Sequence, residues 1–188
     1  MKLRLLSLLL ALTLVLSLLP VGVAAIEYES FEFDPTSGTI TEYKLNISTP
    51  VTIPSEIPVG DNKVPVRAIG KDAFSKCTSM TAVTIPNTIE TIGEQAFQNC
   101  SALTSVTIQG GGKALTIGKR AFSGCGFSSI ILPDSLEKIE ENAFANCKLA
   151  SILIPKSVKT IENFAFYSCK NLTTVSLPAD VSLGSQVF

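Results

Sequence analysis

"IGKDAFSKC" starts at Ile69, and four close copies follow it: "IGEQAFQNC" from Ile92, "IGKRAFSGC" from Ile117, "IEENAFANC" from Ile139 and "IENFAFYSC" from Ile161. A reacting group acts at one place and is needed once, whereas a unit that buries its apolar face against a neighbour has to be repeated. The phenylalanines of these units, with one more beyond them, are Phe74, Phe97, Phe122, Phe144, Phe166 and Phe188, so the steps are 23, 25, 22, 22 and 22 residues. That period is the signature of a solenoid.

Each nonapeptide is followed by a second apolar run: "MTAVTIP" at Met80, "LTSVTIQ" at Leu103, "FSSIILP" at Phe127, "LASILIP" at Leu149 and "LTTVSLP" at Leu172. Val83 and Ile85, Val106 and Ile108, and Val175 and Leu177 alternate with Thr or Ser, the period-two pattern of a strand with one buried face. The pattern predicts one short parallel strand per repeat. Pro86, Pro133, Pro155 and Pro178 end these strands, because proline has no N–H to give to a ladder, and Gln109 stands in that place in one copy. Phenylalanine and cysteine three residues apart lie on one side of a single helical or 3₁₀ turn. Coils stacked at about 4.8 Å would set phenylalanine on phenylalanine and cysteine on cysteine. Gly70, Gly93 and Gly118 follow the isoleucine, yet Glu140 and Glu162 hold the same place in other copies. The position therefore calls for a tight fit and not for a left-handed backbone.

The Ile-Gly-x-x-Ala-Phe-x-x-Cys-x-x-Leu-x-x-Val-x-Ile-Pro pattern resembles the BspA-type leucine-rich repeat, a family of secreted and surface proteins, mostly bacterial. The resemblance runs from about Val51 to Phe188, and "FDPTSGTITEYKLN" from Phe33 looks like the lead-in segment common in that family. It implies a β-rich, right-handed solenoid of about six coils, 51–188, behind an N-terminal cap segment, 26–50. Departures are Gln109 for proline, one residue missing after Cys125 and after Cys147, and the insertion of Gly110, Gly111 and Gly112. These read as loop changes.

"MKLRLLSLLLALTLVLSLLPVGVAA" joins Lys2 and Arg4 to a leucine-rich run, Pro20 and small residues, which reads as a secretory signal peptide, 1–25, cut after Ala25. A retained membrane anchor is the competing reading; the proline and the small residues favour removal. Without Lys2 and Arg4, the 15 basic residues become 13 against 16 acidic ones, a net charge of −3. No electrostatic footprint for nucleic acid is present. Histidine and tryptophan are absent, which removes the usual general base of nucleophilic catalysis and the commonest zinc ligand. No carboxylate or lysine constellation replaces them, so the chain is read as non-enzymatic and without a cofactor.

Five cysteines, Cys77, Cys100, Cys125, Cys147 and Cys169, share one repeat position. An odd column cannot pair completely, and a linear ladder does not converge on a metal, so they are expected to be buried, unpaired and apolar. "QGGGKAL" from Gln109 lacks the spacing of a phosphate loop and reads as a surface turn. Glu137, Glu140 and Glu141 read as a solvated turn. The surface repeated by design is the outer face of the strand ladder: Thr84, Thr107, Ile131, Leu153 and Ser176 at one level, with Ser105, Ser129 and Ser151 beside it. The family resemblance makes this face the binding surface. Tyrosine occurs only at Tyr28, Tyr43 and Tyr167, off the ladder strands, so a protein partner, such as a host extracellular or cell-surface protein, fits better than a sugar. The expected role is a protein-binding or adhesion module that is secreted or held at the cell surface, with a structural spacer as the alternative and a secreted enzyme as a weaker one. "VSLGSQVF" stops at the phenylalanine of a sixth unit. The expectation there is either a longer parent chain or end-to-end pairing with another copy.

Overall fold

The computed structural model describes residues 30–188; the leader, 1–25, and Tyr28 lie outside them. An antiparallel hairpin comes first, β1 (Phe31–Asp34) with β2 (Thr39–Tyr43). Next comes β3 (Val51–Thr52), then an antiparallel hairpin of β4 (Glu56–Val59) and β5 (Asn62–Pro65), and then β6 (Ala68–Ile69), which pairs in parallel with β2. Further along are β7 (Ala82–Ile85), β8 (Thr91–Ile92), β9 (Ser105–Ile108), β10 (Leu115–Ile117) and β11 (Leu136–Ile139). The last four are β12 (Ser151–Leu153), β13 (Thr160–Ile161), β14 (Thr174–Ser176) and β15 (Ser182–Leu183). The result is a β-solenoid of about five turns with parallel strands.

The sequence predicts one strand per repeat, and the structure has two. The second is the short segment that ends at the isoleucine or leucine just before the Gly or Glu position, β6, β8, β10, β11, β13 and β15, two to four residues long, and it forms the continuous side. There β2, β6, β8, β10, β11, β13 and β15 run as one parallel sheet, with β1 at its edge. The Val-x-Ile ladder is broken instead into β3-β7-β9 and β12-β14. Between them, the coil carrying Ser128–Leu132 forms no strand and holds only an isolated Thr107–Ile131 bridge. The residue missing after Cys125 is thus more than a loop change. Gly126 presses onto the preceding coil so closely that a Cβ would lie 2.4 Å from the Ser101 carbonyl oxygen. Phe127 then fills the core place that Met80, Leu103 and Leu149 hold in other coils. The same shortening after Cys147, where Leu149 takes that place, leaves β12 intact.

The core is columnar, as the repeat demands. Phe74, Phe97, Phe122, Phe144 and Phe166 stack face to face with centroids 4.7, 5.1, 5.5 and 5.2 Å apart, and Tyr43 of β2 continues the column at 4.9 Å. Offset stacking of this kind adds about 0.5–1.5 kcal/mol per pair to simple burial.

Ala-Phe-x-x-Cys is neither helical nor 3₁₀; among the described residues there is no helix of either kind. It is a turn with two left-handed residues per coil, at Asp72 and Lys76, Gln95 and Asn99, Arg120 and Gly124, Asn142 and Asn146, and Phe164 and Ser168. The left-handed residues send their N–H groups to the next coil: Asp72 to the Glu94 carbonyl at 2.9 Å, Lys76 to Gln98 at 2.8 Å, Asn99 to Ser123 at 2.8 Å. Phe74 between them donates likewise to Ala96 at 2.7 Å. A third side of the stack is therefore hydrogen-bonded without being a sheet. The glycine after isoleucine is not left-handed, in line with its reading as a tight fit. A Cβ on Gly93 would stand 2.7 Å from the Ile69 carbonyl oxygen.

All five cysteines are buried and unpaired. Four have a further job: the thiols of Cys100, Cys125, Cys147 and Cys169 donate at 3.1–3.2 Å to the carbonyls of Phe74, Phe97, Phe122 and Phe144 in the preceding coil. Burial pushes Cys77 up to about 11 and Cys147 up to about 12, and raises Cys125 and Cys169 as well. The hydrogen bond with Cys125 acts the other way on Cys100 and lowers it. A thiolate could not donate to the preceding carbonyl, so for Cys125, Cys147 and Cys169 the protonated form belongs to the fold.

Two predictions follow from this packing. Thiols whose folded pKa lies above the ordinary 9 favour the folded state fully below pH 9 and lose that contribution as pH climbs through about 11 to 12. Urea midpoints should hold level to pH 9 and fall beyond it, and an aromatic disulfide reagent at pH 8 should titrate five thiols only after unfolding. Second, Arg120 is exposed with φ 55°, a conformation costing an L-residue about 1–2 kcal/mol. Arg120→Asn should raise stability by about 0.5–1 kcal/mol in urea melts, while Arg120→Val should lower it by more than about 1 kcal/mol.

Candidate functional site

Val83 and Ile85, Val106 and Ile108, and Ile152 and Ile154 point into the core from the ladder side, so the residues between them point out. Parallel register then lines up Thr84 with Thr107, Ala82 with Ser105, Ser151 with Thr174, and Leu153 with Ser176. The isolated bridge places Ile131 next to Thr107. Of the residues singled out in the sequence, Thr107, Ile131, Leu153, Ser176, Ser105, Ser129 and Ser151 are exposed, and Thr84 is half-buried. The row is not a continuous ladder; it is interrupted at the coil of Ile131.

Two side chains dominate this face. Ile131 is 85% and Leu153 68% exposed, the highest values among the described large apolar residues. Their outward neighbours at the two levels are the hydroxyl residues Thr84, Thr107, Ser105, Ser129, Ser151, Thr174 and Ser176 and the half-buried Ala82, and no charged residue lies among them. Leu153 also walls a groove of about 520 Å³ with Lys156, Ser176, Leu177, Pro178 and Asp180. The groove depends on how the last two coils turn after Pro155 and Pro178, and nothing in the repeat spacing marks it.

Charge is gathered on the other sides. Glu90 bridges Arg67 at 2.8 Å and Lys113 at 2.9 Å, Lys71 meets Glu94 at 3.0 Å, and Lys159 meets Glu137 at 2.8 Å. Glu141 pairs with Lys119 at 3.0 Å, and Lys138 reaches Glu140 at 3.1 Å and Glu162 at 2.7 Å. Glu140 also accepts the Lys119 N–H of the preceding coil at 3.1 Å, so Glu137, Glu140 and Glu141 are half-buried ties between coils and not simply a solvated turn. The Lys119 ammonium lowers the Glu141 carboxyl, and the Glu162 and Glu140 carboxylates raise Lys138. These pairs are solvent-accessible, and water and salt screen them, so each adds little to stability.

Gly110–Gly112 form an exposed turn, as their composition indicates. Phe164 and Tyr167 make an edge-on aromatic pair at 5.6 Å, with Tyr167 half exposed on the turn side. Among the described residues, no three His, Cys, Asp or Glu side chains are grouped to hold a metal ion, and no helix is long and apolar enough to cross a membrane.

A search of curated proteins finds no match. Solved structures do match. A leucine-rich repeat protein from Bacteroides ovatus is 35% identical with a TM-score of 0.69, over 84% of this chain and 42% of its own. A leucine-rich cell surface protein from Faecalibacterium prausnitzii is 32% identical with a TM-score of 0.71, over 92% of this chain and 47% of its own. The leucine-rich repeat protein of Treponema pallidum is 26% identical with a TM-score of 0.59, over 86% of this chain and 85% of its own. This chain thus spans less than half the length of the first two. The profile of the BspA-type leucine-rich repeat region matches residues 61–115 and 112–188, in six copies. With the columns, the coil period and these matches in agreement, the chain belongs to the BspA-type leucine-rich repeat family.

Proposed function

We propose that the chain is a non-enzymatic protein-binding module, secreted or displayed at the cell surface, that engages a protein partner through the ladder face centred on Ile131 and Leu153. The observation that carries this reading is the exposure of two large apolar side chains on neighbouring coils, in a field of hydroxyls with no charge. Single exposed apolar residues are ordinary; two together in an outward row that carries no charge of its own favour a contact surface. The resemblance to a protein named as a cell surface protein and the secretory pattern of 1–25 support the location. Adhesion to a host extracellular or cell-surface protein is the specific form proposed. A rigid spacer in a larger surface assembly is the reading that takes over if the face is inert.

The decisive experiment measures binding to a panel of purified extracellular-matrix and cell-surface proteins by surface plasmon resonance, with Ile131→Glu/Leu153→Lys beside the unaltered chain. Both residues are solvent-facing, so circular dichroism and melting temperature should be preserved. Saturable binding should weaken at least tenfold in the variant. Because the face is uncharged, Kd should change less than about threefold between 50 and 500 mM salt. No saturable binding to the panel, or binding indifferent to the double substitution, would move the assignment to the spacer.

A further inference from the structure

Two connectors among the described coils are enlarged, and the fold sets them on either side of a short one. Between a ladder strand and the continuous sheet, 86–90 and 154–159 make the passage directly, whereas 53–67 carry the β4–β5 hairpin and 109–114 carry the extra glycines. The short connector 86–90 lies between the two enlarged ones. It becomes the floor of a trough of about 450 Å³, with Pro65 and Arg67 on one wall and Gly111, Gly112 and Lys113 on the other. Both walls are seated. A Cβ on Gly112 would stand 1.9 Å from the Asn87 carbonyl oxygen, and Gly111 makes the turn with φ 79°. On the floor, the Glu90 N–H donates to the Arg67 carbonyl at 2.7 Å, and the Glu90 carbonyl accepts from the Thr116 N–H at 3.0 Å. Insertions in repeat proteins gather on one face, often the one that binds.

We infer that this trough binds an acidic segment of a protein partner, one of whose carboxylates docks between Arg67 and Lys113. These two cations reach the single carboxylate of Glu90 from opposite walls, Arg67 Nη1 at 2.8 Å and Lys113 Nζ at 2.9 Å. Each makes one hydrogen bond to it and stays exposed. A guanidinium carries five N–H donors and an ammonium three, so donors remain for a second carboxylate, which guanidinium recognises with two parallel bonds. Charge selects the same occupant. Among the lining residues Arg67 and Lys113 face one acid, Glu90, an excess of one positive charge that a carboxylate neutralises. A phosphate dianion would overshoot it and crowd Glu90. No aromatic ring lines the trough, so it offers no stacking platform to a sugar. Asn87, exposed on the floor, has an amide that both donates to and accepts from a peptide backbone.

The trough is distinct from the proposed ladder site, and the test keeps them apart. The purified chain, labelled with nitrogen-15, is titrated by NMR with acetylated, amidated hexaglutamate and, separately, with its hexaglutamine counterpart. Hexaglutamate should shift the amides of Asn87, Gly111 and Gly112 saturably, and hexaglutamine should not. Because the contact is ionic, Kd should rise at least threefold between 50 and 500 mM salt. Arg67→Gln with Lys113→Gln should raise Kd at least tenfold. Glu90→Gln removes the competing carboxylate and should lower Kd at least twofold, a gain that a purely structural ion pair would not give. Ile131→Glu should leave the titration unchanged. No saturable shift of these amides, equal shifts with hexaglutamine, a Kd indifferent to the Arg67/Lys113 pair or raised by Glu90→Gln, or displacement of the peptide by equimolar inorganic phosphate would each overturn the inference.

Discussion

The structure hangs on the carbonyl of the repeated phenylalanine. In each of four successive coils that oxygen accepts the N–H of the cysteine three residues on, at 3.2–3.3 Å, and the thiol of the cysteine one coil later, at 3.1–3.2 Å. One acceptor thus closes its own turn and ties it to the next. Phenylalanine and cysteine must then recur together, because the ring sets the spacing of the column and the thiol completes the tie. An alanine would keep the turn and lose the tie, so the cysteine is accounted for without any disulfide.

This coupling explains why variation is tolerated in some places and not in others. Glu140 and Glu162 replace the glycine while still donating to Ile117 and Ile139 at 2.9 Å. Insertion of Gly110–Gly112 is absorbed on the surface, where Lys113 is drawn into the Glu90 ion pair. The missing residue after Cys125 is another matter, since it lies between the fixed turn and the ladder strand. The column is kept, with Phe127 packed edge-on against Phe122 and Phe144 at 6.0 and 6.4 Å, and the strand is given up. The interruption falls on the face where Ile131 and Leu153 are displayed, so a change in coil geometry and a change in surface chemistry occur together.

The left-handed residues show how a pattern can be present in a sequence and still be missed. Attention goes to glycine, and the conspicuous glycines Gly70, Gly93 and Gly118 are right for close approach and wrong for conformation. The positions that do turn left-handed hold Asp72, Asn99, Asn142 and Asn146, with Gly124 among them, the residue types that tolerate that region best. Asn, Gly and Asn directly before Cys100, Cys125 and Cys147 were the legible trace. Lys76, Gln95, Arg120, Phe164 and Ser168 blur it, because the hydrogen bonds of the stack outweigh a cost of about 1–2 kcal/mol per residue.

By itself the sequence determined the solenoid, the period, the columns of phenylalanine and cysteine, the inward and outward alternation of the ladder, and hence which side chains form its outer face. These depend on repetition and on period-two burial, both of which are local and survive translation from coil to coil. Only the tertiary structure decided the rest: that the short segments before the Gly or Glu position make the continuous sheet, that the ladder breaks at Ile131, that Glu137, Glu140 and Glu141 tie neighbouring coils, and that Leu153 borders a groove with Leu177 and Asp180. Each of these depends on how far one coil is displaced against the next, a quantity that small differences in connector length and side-chain volume set and that no single repeat contains.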